Sequence, residues 1–231
     1  MNLSQQQLGD IVANDFRTAS ILSNAGLDFC CGGKKTLDQA CREKGISTDK
    51  IAEKIESIHA EPETPGQNYR EWAPAFLCDY IVNTHHTYIY RTLPNLVFFT
   101  EKIANVHGQR HLELIEIASI VKKLNDELLS HLRNEEEILF PAIKSISTAF
   151  SKEAAATIKS EISRMNGEHE FAGESMDRIN GMTRGYKVPD DGCDTYRVSF
   201  RLLEQFEKDL HIHVHLENNI LFKKALAIAG E

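Results

Sequence analysis

The sequence predicts an all-α protein, in which an antiparallel four-helix bundle follows a small helical N-terminal domain. From Ala75 onward the pattern is helical almost throughout, and strand-like runs between turn pairs are missing. Breaks at residues 105–109 and 180–194, the second of which contains three glycines and Pro189, separate the long helical stretches. One helical hairpin also occurs twice in the chain. The predicted long helices cover residues 75–103, 112–145, 152–180 and 194–228.

The first 60 residues predict several short helices. Thr36 with Gln39, and Ser4 with Gln7, have the spacing of a capping box, in which two side chains satisfy free backbone donors. Gly26 follows an apolar run and predicts a helix end.

The predicted domain boundary lies at residues 61–74, where three prolines and a glycine stand among polar residues. Proline blocks helix continuation and restricts the residue before it. We therefore expect an N-terminal domain at residues 1–60, a linker at 61–74 and the bundle at 75–231.

Composition limits the classes of function. Apolar residues make up 42% of the 231 residues, which predicts a soluble protein with a substantial core. The formal net charge of −8 argues against a nucleic-acid-binding surface. No stretch reaches the roughly 18 apolar residues of a membrane span, and the N-terminus lacks a secretory pattern. Five cysteines, two of them adjacent, favour a reducing compartment, so we expect a cytoplasmic protein that binds neither membrane nor nucleic acid.

The duplicated hairpin contains the residues that can bind metal. HLRNEEEILFPAIKSI starts at His131, and HVHLENNILFKKALAI starts 82 residues later at His213. Both segments contain His-x-x-x-Glu, which adds Glu135 and Glu217. His86 lies 45 residues before His131, and His169 lies 44 residues before His213. The residues concerned are His86, His131, Glu135, His169, His213 and Glu217.

Helical spacing places these side chains in the bundle interior. Residues four apart lie on one helix face, so each His-x-x-x-Glu pair can reach one site. Apolar neighbours share the two faces: Leu124, Leu128 and Ile138 in the first, and Phe206, Leu210 and Ile220 in the second. Two buried carboxylates would repel each other unless cations lie between them. A pair of metal ions in a carboxylate-bridged bundle satisfies this requirement.

His85 and His86 compete for the first ligand position. His86 shares a continuous apolar stripe with neighbours on its face, whereas Thr92 interrupts the stripe of His85. We therefore predict His86 as the ligand. His211 and His215 flank His213 but fall on other helical faces, so we expect them to be peripheral.

The ligand types narrow the choice of metal. A set of imidazoles and carboxylates suits iron or manganese and tolerates zinc. Four histidines and two bridging carboxylates leave each metal short of six ligands, and open positions permit reactivity or exchange. A single buried histidine is usually a satisfied core residue, but six ligand-type residues in a duplicated pattern favour a metal site.

Longer motifs resemble a known family. The segment LGDIVANDFRTASILSNAGLDFCCGGKKTLDQAC and the bundle motifs HHTYIYRTLPNL, LLSHLRNEEEILFP, GEHEFAG and HIHVHLENNILF resemble the "repair of iron centres" (RIC) family, the YtfE/ScdA type of hemerythrin-like di-iron protein. The resemblance covers nearly the whole chain. It implies a hemerythrin-like bundle that holds two non-heme iron ions, bridged by two glutamates and an oxo group, on the six residues named above. It also implies carboxylates near the metals at Glu127 and Glu168, for which a solvated or helix-pairing role is an equal alternative.

The resemblance implies a function as well. Family members help to restore iron–sulfur clusters damaged by nitric oxide or oxidants, so the expected partners are damaged iron–sulfur proteins, with nitric oxide or dioxygen as small ligands. A di-iron nitric oxide reductase and a reversible dioxygen or nitric oxide binding protein remain as alternatives. Whether turnover occurs, and whether the protein is a monomer or a homodimer, stay open.

The adjacent cysteines predict a second chemical feature. Cys30 and Cys31 lie in the loop-like segment DFCCGGK, just before a predicted helix and beside Lys34 and Lys35. Backbone amides at a helix start and nearby positive charge both favour a thiolate. We therefore expect a lowered thiol pKa and a role in redox or delivery chemistry. Packing of two small apolar residues is the alternative.

Overall fold

The computed structural model describes residues 3–60 and 68–230, and apart from an isolated bridge between Gln7 and Thr36, all regular structure in these residues is helical. The predicted all-α class is therefore confirmed. After a short 3₁₀ turn at Leu3–Gln5, the described N-terminal part has four short α-helices and a second 3₁₀ turn at Phe16–Thr18. The α-helices are α1 at Leu8–Asn14, α2 at Ala19–Asn24, α3 at Leu37–Lys44 and α4 at Thr48–His59.

Local sequence signals explain most of these helix ends. The side chain of Thr36 accepts a hydrogen bond from the backbone N–H of Gln39 and caps α3, which is one half of the predicted capping box. The Gln39 side chain donates to Glu43 instead. Gly26 follows α2 with a φ of 67°, a left-handed conformation that suits glycine. Ser4 does not directly precede an α-helix: it lies inside the 3₁₀ turn, and α1 begins later, at Leu8.

Four long helices form the bundle, and three of them contain a π-helical turn. Helix α5 comprises Pro74–Ile81, the π turn Val82–His86 and Thr87–His107; α6 comprises Glu113–Asn134, the π turn Glu135–Leu139 and Phe140–Thr148; α7 is Lys152–Thr183; and α8 comprises Asp194–His215, the π turn Leu216–Leu221 and Phe222–Ile228. Helix α5 packs against α6 and α8, and α7 packs against α6 and α8. The four predicted helical stretches are therefore present, with ends that differ by a few residues.

Two apolar cores occupy the two ends of the bundle. One includes Leu93, Leu124 and Phe206, and the other includes Ile81, Ile143 and other residues near the ends of the chain's long helices. On every long helix the predicted ligands lie where one core gives way to the other. The fold therefore holds a polar layer between two apolar layers.

The N-terminal part has its own apolar cluster and docks on α8. Leu8, Leu22 and Leu37 belong to that cluster. Helix α1 contacts the π turn Leu216–Leu221, and Lys223 forms an ion pair of 2.9 Å with Asp10. The two parts of the chain therefore meet beside the polar layer.

Half of the predicted linker at 61–74 lies outside the described residues, because residues 61–67 are not among them. The described remainder contains a 3₁₀ turn at Tyr69–Glu71, and Pro74 is the first residue of α5. Proline is favoured at that position because its missing N–H would have no partner there. Among the described residues, no helix is long and apolar enough to cross a membrane.

Candidate metal centre

The three π turns lie at the predicted ligands. His86 is the last residue of the first π turn, Glu135 is the first residue of the second, and the third contains Glu217. A π turn inserts an extra residue into the helical repeat, and such turns are frequent at functional sites. They bring ligand side chains on α5, α6 and α8 to one level of the bundle.

Because of one of these π turns, the predicted core position of Ile138 is wrong. Ile138 was expected on the apolar face of His131 and Glu135, but 42% of it is exposed. Its neighbour Leu139 is fully buried instead. The π turn Glu135–Leu139 shifts the helical phase after Glu135, so a strict spacing of 3.6 residues fails there.

The structure brings the six predicted residues together in two overlapping groups. His86 and His213 form one group with the two glutamates, and His131 and His169 form the other. Glu135 and Glu217 belong to both groups, and the potential ligand atoms of each group lie within 4.8 Å of one another. Two metal ions could therefore each receive two imidazoles and share both carboxylates.

Interatomic distances support this sharing. Oε2 of Glu135 lies 3.4 Å from Nε2 of His86 and 3.3 Å from Nε2 of His131. Oε1 of Glu217 lies 2.9 Å from Nε2 of His213, and its Oε2 lies 3.2 Å from Nε2 of His169. Each carboxylate thus faces imidazoles from both groups, and each imidazole presents Nε2 to the interior.

Burial of two carboxylates among four imidazoles shifts the pKa values of the cluster. Glu135 and Glu217 are both fully buried. Burial and the Glu217 charge would raise the pKa of Glu135, but His131 and His86 outweigh them and lower it to about 2. Against the effect of burial, the two carboxylates raise the pKa of His86 and that of His131 to about 10. Burial lowers the pKa of His213. Without metal, therefore, protons on His86 and His131 supply the charge that balances the carboxylates.

Several buried polar atoms of the cluster have no hydrogen-bond partner in the described part of the chain and are placed to bind metal ions instead. Both carboxylate oxygens of Glu135, Oε2 of Glu217 and Nε2 of His86 are buried without a hydrogen-bond partner among the described residues. The Nε2 atoms of His131 and His169 face each other at 3.1 Å. Unsatisfied buried polar groups are costly, and ligand atoms that converge on shared cations remove that cost. These donors therefore suit two metal ions.

Hydrogen bonds on the far side of the rings orient three of the four imidazoles. Nδ1 of His86 donates to Glu136 at 2.8 Å, and Nδ1 of His131 donates to Glu168 at 2.6 Å. Nδ1 of His169 donates to Oδ1 of Asn218 at 2.9 Å. Such contacts fix the tautomer of a histidine and leave Nε2 free to bind metal.

Glu136 and Asn218 are not among the residues predicted from the sequence, although the internal repeat contains the signal. Glu136 directly follows Glu135, and Asn218 directly follows Glu217, at the same offset of 82 residues. Each of these side chains accepts a hydrogen bond from the first histidine of its own hairpin, His86 or His169. The duplication therefore extends beyond the ligands to the groups that orient them.

Between the two histidine candidates of α5, the structure places His86 in the cluster. His85 is also buried, but its Nδ1 lies 3.0 Å from Oδ1 of Asp209, and its ring stacks on His213 at a centroid distance of 5.7 Å. In the repeat, His85 occupies the position of Glu168. The first hairpin therefore has a stacked ring, His85, where the second has Glu168, a carboxylate that accepts from a ligand.

The other predicted side chains have different environments. Glu168 contacts His131, whose hydrogen bond is the main cause of the lowered pKa of Glu168. Glu127 is exposed, which agrees with the alternative of a solvated side chain. His211 lines a cleft outside the cluster, and His215 is fully buried against Phe29 of the N-terminal part. His215 thus lies outside the polar layer that contains the six predicted ligands, which we call the metal layer. This agrees with the expectation, but His215 is also buried where the N-terminal part docks on the bundle.

The cysteine loop lies against the metal layer. Sγ of Cys31 donates to the backbone carbonyl of His169 at 3.3 Å, and Sγ of Cys30 donates to Asp28 at 3.1 Å. The Cys31 thiol, burial and Asp28 raise the pKa of Cys30 well above its usual value. The expected lowering is therefore wrong for Cys30. Helix α3 begins too late for its amides to reach Cys30, and the loop amides of Cys30 and Gly32 donate to Asp28 instead.

Known protein families match both the N-terminal part and the bundle. Residues 79–225 match the family described as "Hemerythrin HHE cation binding domain". Residues 4–59 match ScdA_N, described as "Domain of Unknown function (DUF542)". The "Iron-sulfur cluster repair protein YtfE" of Pectobacterium carotovorum subsp. carotovorum (strain PC1) is 32% identical over 229 residues, 98% of this chain and 99% of the relative.

The chain belongs to the YtfE/ScdA family of hemerythrin-like proteins. "Iron-sulfur cluster repair protein ScdA" of Staphylococcus epidermidis (strain ATCC 12228 / FDA PCI 1200) is 30% identical over 218 residues, 94% of this chain and 96% of that protein. A YtfE protein of Yersinia pestis (strain Pestoides F) is 29% identical over 226 residues, with 98% and 99% covered. The expected family and its hemerythrin-like bundle are confirmed, and the buried His/Glu cluster suits a cation-binding domain.

Proposed function

We propose that this protein repairs iron–sulfur clusters damaged by nitric oxide or oxidants, by means of a di-iron centre on His86, His131, Glu135, His169, His213 and Glu217. The observation that carries the proposal is the sharing of Glu135 and Glu217 by two buried ligand groups. The names of relatives that match nearly the full chain support the repair role.

The choice of iron follows from the donors. Imidazole and carboxylate ligands suit iron, and without thiolates they hold it with moderate strength, as a donor requires. When bound, two iron ions would supply redox chemistry and open positions for nitric oxide, for dioxygen or for exchange.

The chain's own residues hold and orient that centre. Glu136, Glu168 and Asn218 fix three imidazoles through Nδ1, so that each Nε2 points inward. The apolar layers above and below exclude water from the carboxylates. Ligand geometry is thus set by the bundle before metal binds.

Two alternatives receive less support. A nitric oxide reductase and a reversible dioxygen or nitric oxide binding protein are not favoured, because the relatives that cover nearly the whole chain carry the repair name. We place the activity in the cytoplasm, where damaged iron–sulfur proteins would be its partners. The oligomeric state, monomer or homodimer, does not affect the proposal.

The test mixes the iron-loaded protein with an iron–sulfur enzyme inactivated by nitric oxide and follows recovered enzyme activity. Iron in the protein is enriched in a separable isotope, so that its arrival in the enzyme can be measured. Wild-type protein should restore activity, and the Glu217→Leu variant should not. The control is Glu137→Gln, which changes an exposed glutamate on the same helix as Glu135. Equal recovery with Glu217→Leu, or none with wild type, would refute the proposal.

A further inference from the structure

A second group of metal-binding side chains lies outside the central cluster. Asp28, Cys30 and Cys31 each offer one ligand atom, and these atoms lie within 4.8 Å of one another. Sγ of Cys30 is 3.1 Å from Oδ1 of Asp28 and 4.0 Å from Sγ of Cys31. Two sulfurs and a carboxylate oxygen supply three of the four ligands of a tetrahedral cation and leave one position open.

The charges in this group favour a cation. The neighbouring thiol, burial and the Asp28 carboxylate all disfavour a thiolate on Cys30 and raise its pKa. A divalent cation between the three groups reverses the balance, because a coordinated thiol is deprotonated. The same side chains that oppose negative charge when alone therefore become a suitable ligand set around a metal ion.

One side of the group opens to solvent. Asp28 is exposed, and a cleft of about 720 Å³ lies between the N-terminal part and the bundle. Asp28 and Cys30 line the cleft on one side, with Asp177 and Glu207 on the other. Burial and the Asp28 charge raise the pKa of Asp177. Three lysines, Lys35, Lys44 and Lys208, also line the cleft.

The other side of the group touches the metal layer. Sγ of Cys31 lies 3.3 Å from the backbone oxygen of His169, whose Nε2 faces Glu217. The same Sγ packs against α7 at Gly173, where a Cβ atom would lie only 3.2 Å from it. The glycine therefore allows the thiol to approach the helix that carries His169. A cation held by the cysteines would have solvent on one side and the predicted di-iron centre on the other.

We infer that Asp28, Cys30 and Cys31 form a transit site for ferrous iron on its way into or out of the central cluster. The inference rests on the proposed repair function and adds a route for the iron. On binding, the cation replaces the two thiol protons, which pass to solvent, and no electron is transferred. The open fourth position allows iron to be exchanged with a client or with the centre.

Zinc is a suitable probe, because its absorption edge is distinct from that of iron in the central cluster. The full-length, iron-loaded and reduced protein is given one equivalent of Zn²⁺ without oxygen, and zinc X-ray absorption reports its ligands. The expected result is a shell of sulfur ligands at a Zn–S distance of about 2.3 Å. Cys30→Ser with Cys31→Ser should lose that shell. The control Cys193→Ser, which changes an exposed cysteine, should keep it.

A second variant tests the carboxylate. Asp28→Asn keeps one of the two oxygens that accept from the loop amides of Cys30 and Gly32, and thermal unfolding verifies that the variant stays folded. Its zinc affinity, measured against a chromophoric chelator, should fall at least about tenfold while the sulfur shell remains. Zinc without sulfur ligands in the wild type, a sulfur shell in the double variant, or unchanged affinity in Asp28→Asn would each overturn the three-ligand site.

Cluster repair by the same variants separates this inference from the proposed function. We expect the double variant to keep its iron but to repair clusters at least about tenfold more slowly. Wild-type repair rates in that variant would overturn the transit role while leaving the di-iron proposal intact. Failure of the wild-type protein to repair, with the zinc–sulfur shell present, would instead remove the repair function.

Discussion

Asn219 joins the cysteine loop to the metal layer, because its Nδ2 donates to the backbone carbonyl of Cys30 at 3.2 Å. The same amide donates to the carbonyl of Phe29 at 3.1 Å. Asn219 lies in the π turn that contains Glu217, and Gly9 and Gly33 leave room for it, since a Cβ at either would collide with its side chain. One side chain therefore positions the loop relative to a predicted ligand.

Asn219→Ala should loosen this docking. The carbonyls of Phe29 and Cys30 would lose their donor inside the protein, at a cost of about 1–3 kcal/mol. We expect a lower unfolding temperature and faster amide hydrogen exchange at residues 28–33, with iron content retained. Asn95→Ala, which changes an exposed asparagine on α5, is the control. Unchanged exchange in the loop would show that Asn219 does not hold it.

His86 and His85 should differ in their effect on iron. His86→Ala should abolish the di-iron absorption band, because Nε2 of His86 faces both glutamates. His85→Ala should retain the band, since its Nδ1 is bound to Asp209 outside the cluster. Optical spectra of the two variants make the comparison, and the opposite pattern would show that the helical phase has been assigned wrongly.

Glu136 should tune the centre without binding metal. Glu136→Leu removes the acceptor of Nδ1 of His86 and frees the ring to reorient. Loss of an orienting contact typically weakens metal affinity by about 10–100-fold. Competition with an iron chelator measures this effect, and Glu137→Leu on the same helix is the matched control. Equal affinity in both variants would mean that the hydrogen bond has no part in holding His86.

Metal binding should release protons at neutral pH. In the metal-free protein the raised pKa of about 10 keeps His86 and His131 protonated at pH 7. Metal binds only the neutral imidazole, so loading should release about two protons per chain and become more favourable as pH rises. Titration calorimetry in buffers of different ionisation enthalpy counts these protons. A release near zero at pH 7 would contradict the protonated pair.

The sequence predicts the long helices and the six clustered residues because both depend on local spacing. The repeat places His131 and Glu135 one turn apart, and the duplication gives their counterparts without knowledge of the tertiary fold. It does not predict the π turns, since an inserted residue leaves no clear trace in apolar spacing, and Ile138 is therefore misplaced. The environment of Cys30 is also missed, because Asp28 and the bundle reach it only in the folded chain.

Iron content is the most direct test of the central claim that six residues hold two iron ions. Wild-type protein reconstituted without oxygen should contain about two iron ions per chain. Glu217→Leu should retain at most about half of that content, because Glu217 faces His86, His169 and His213 and belongs to both ligand groups. Metal analysis of the two folded proteins gives the answer. Full iron loading of the Glu217→Leu variant would contradict the ligand assignment.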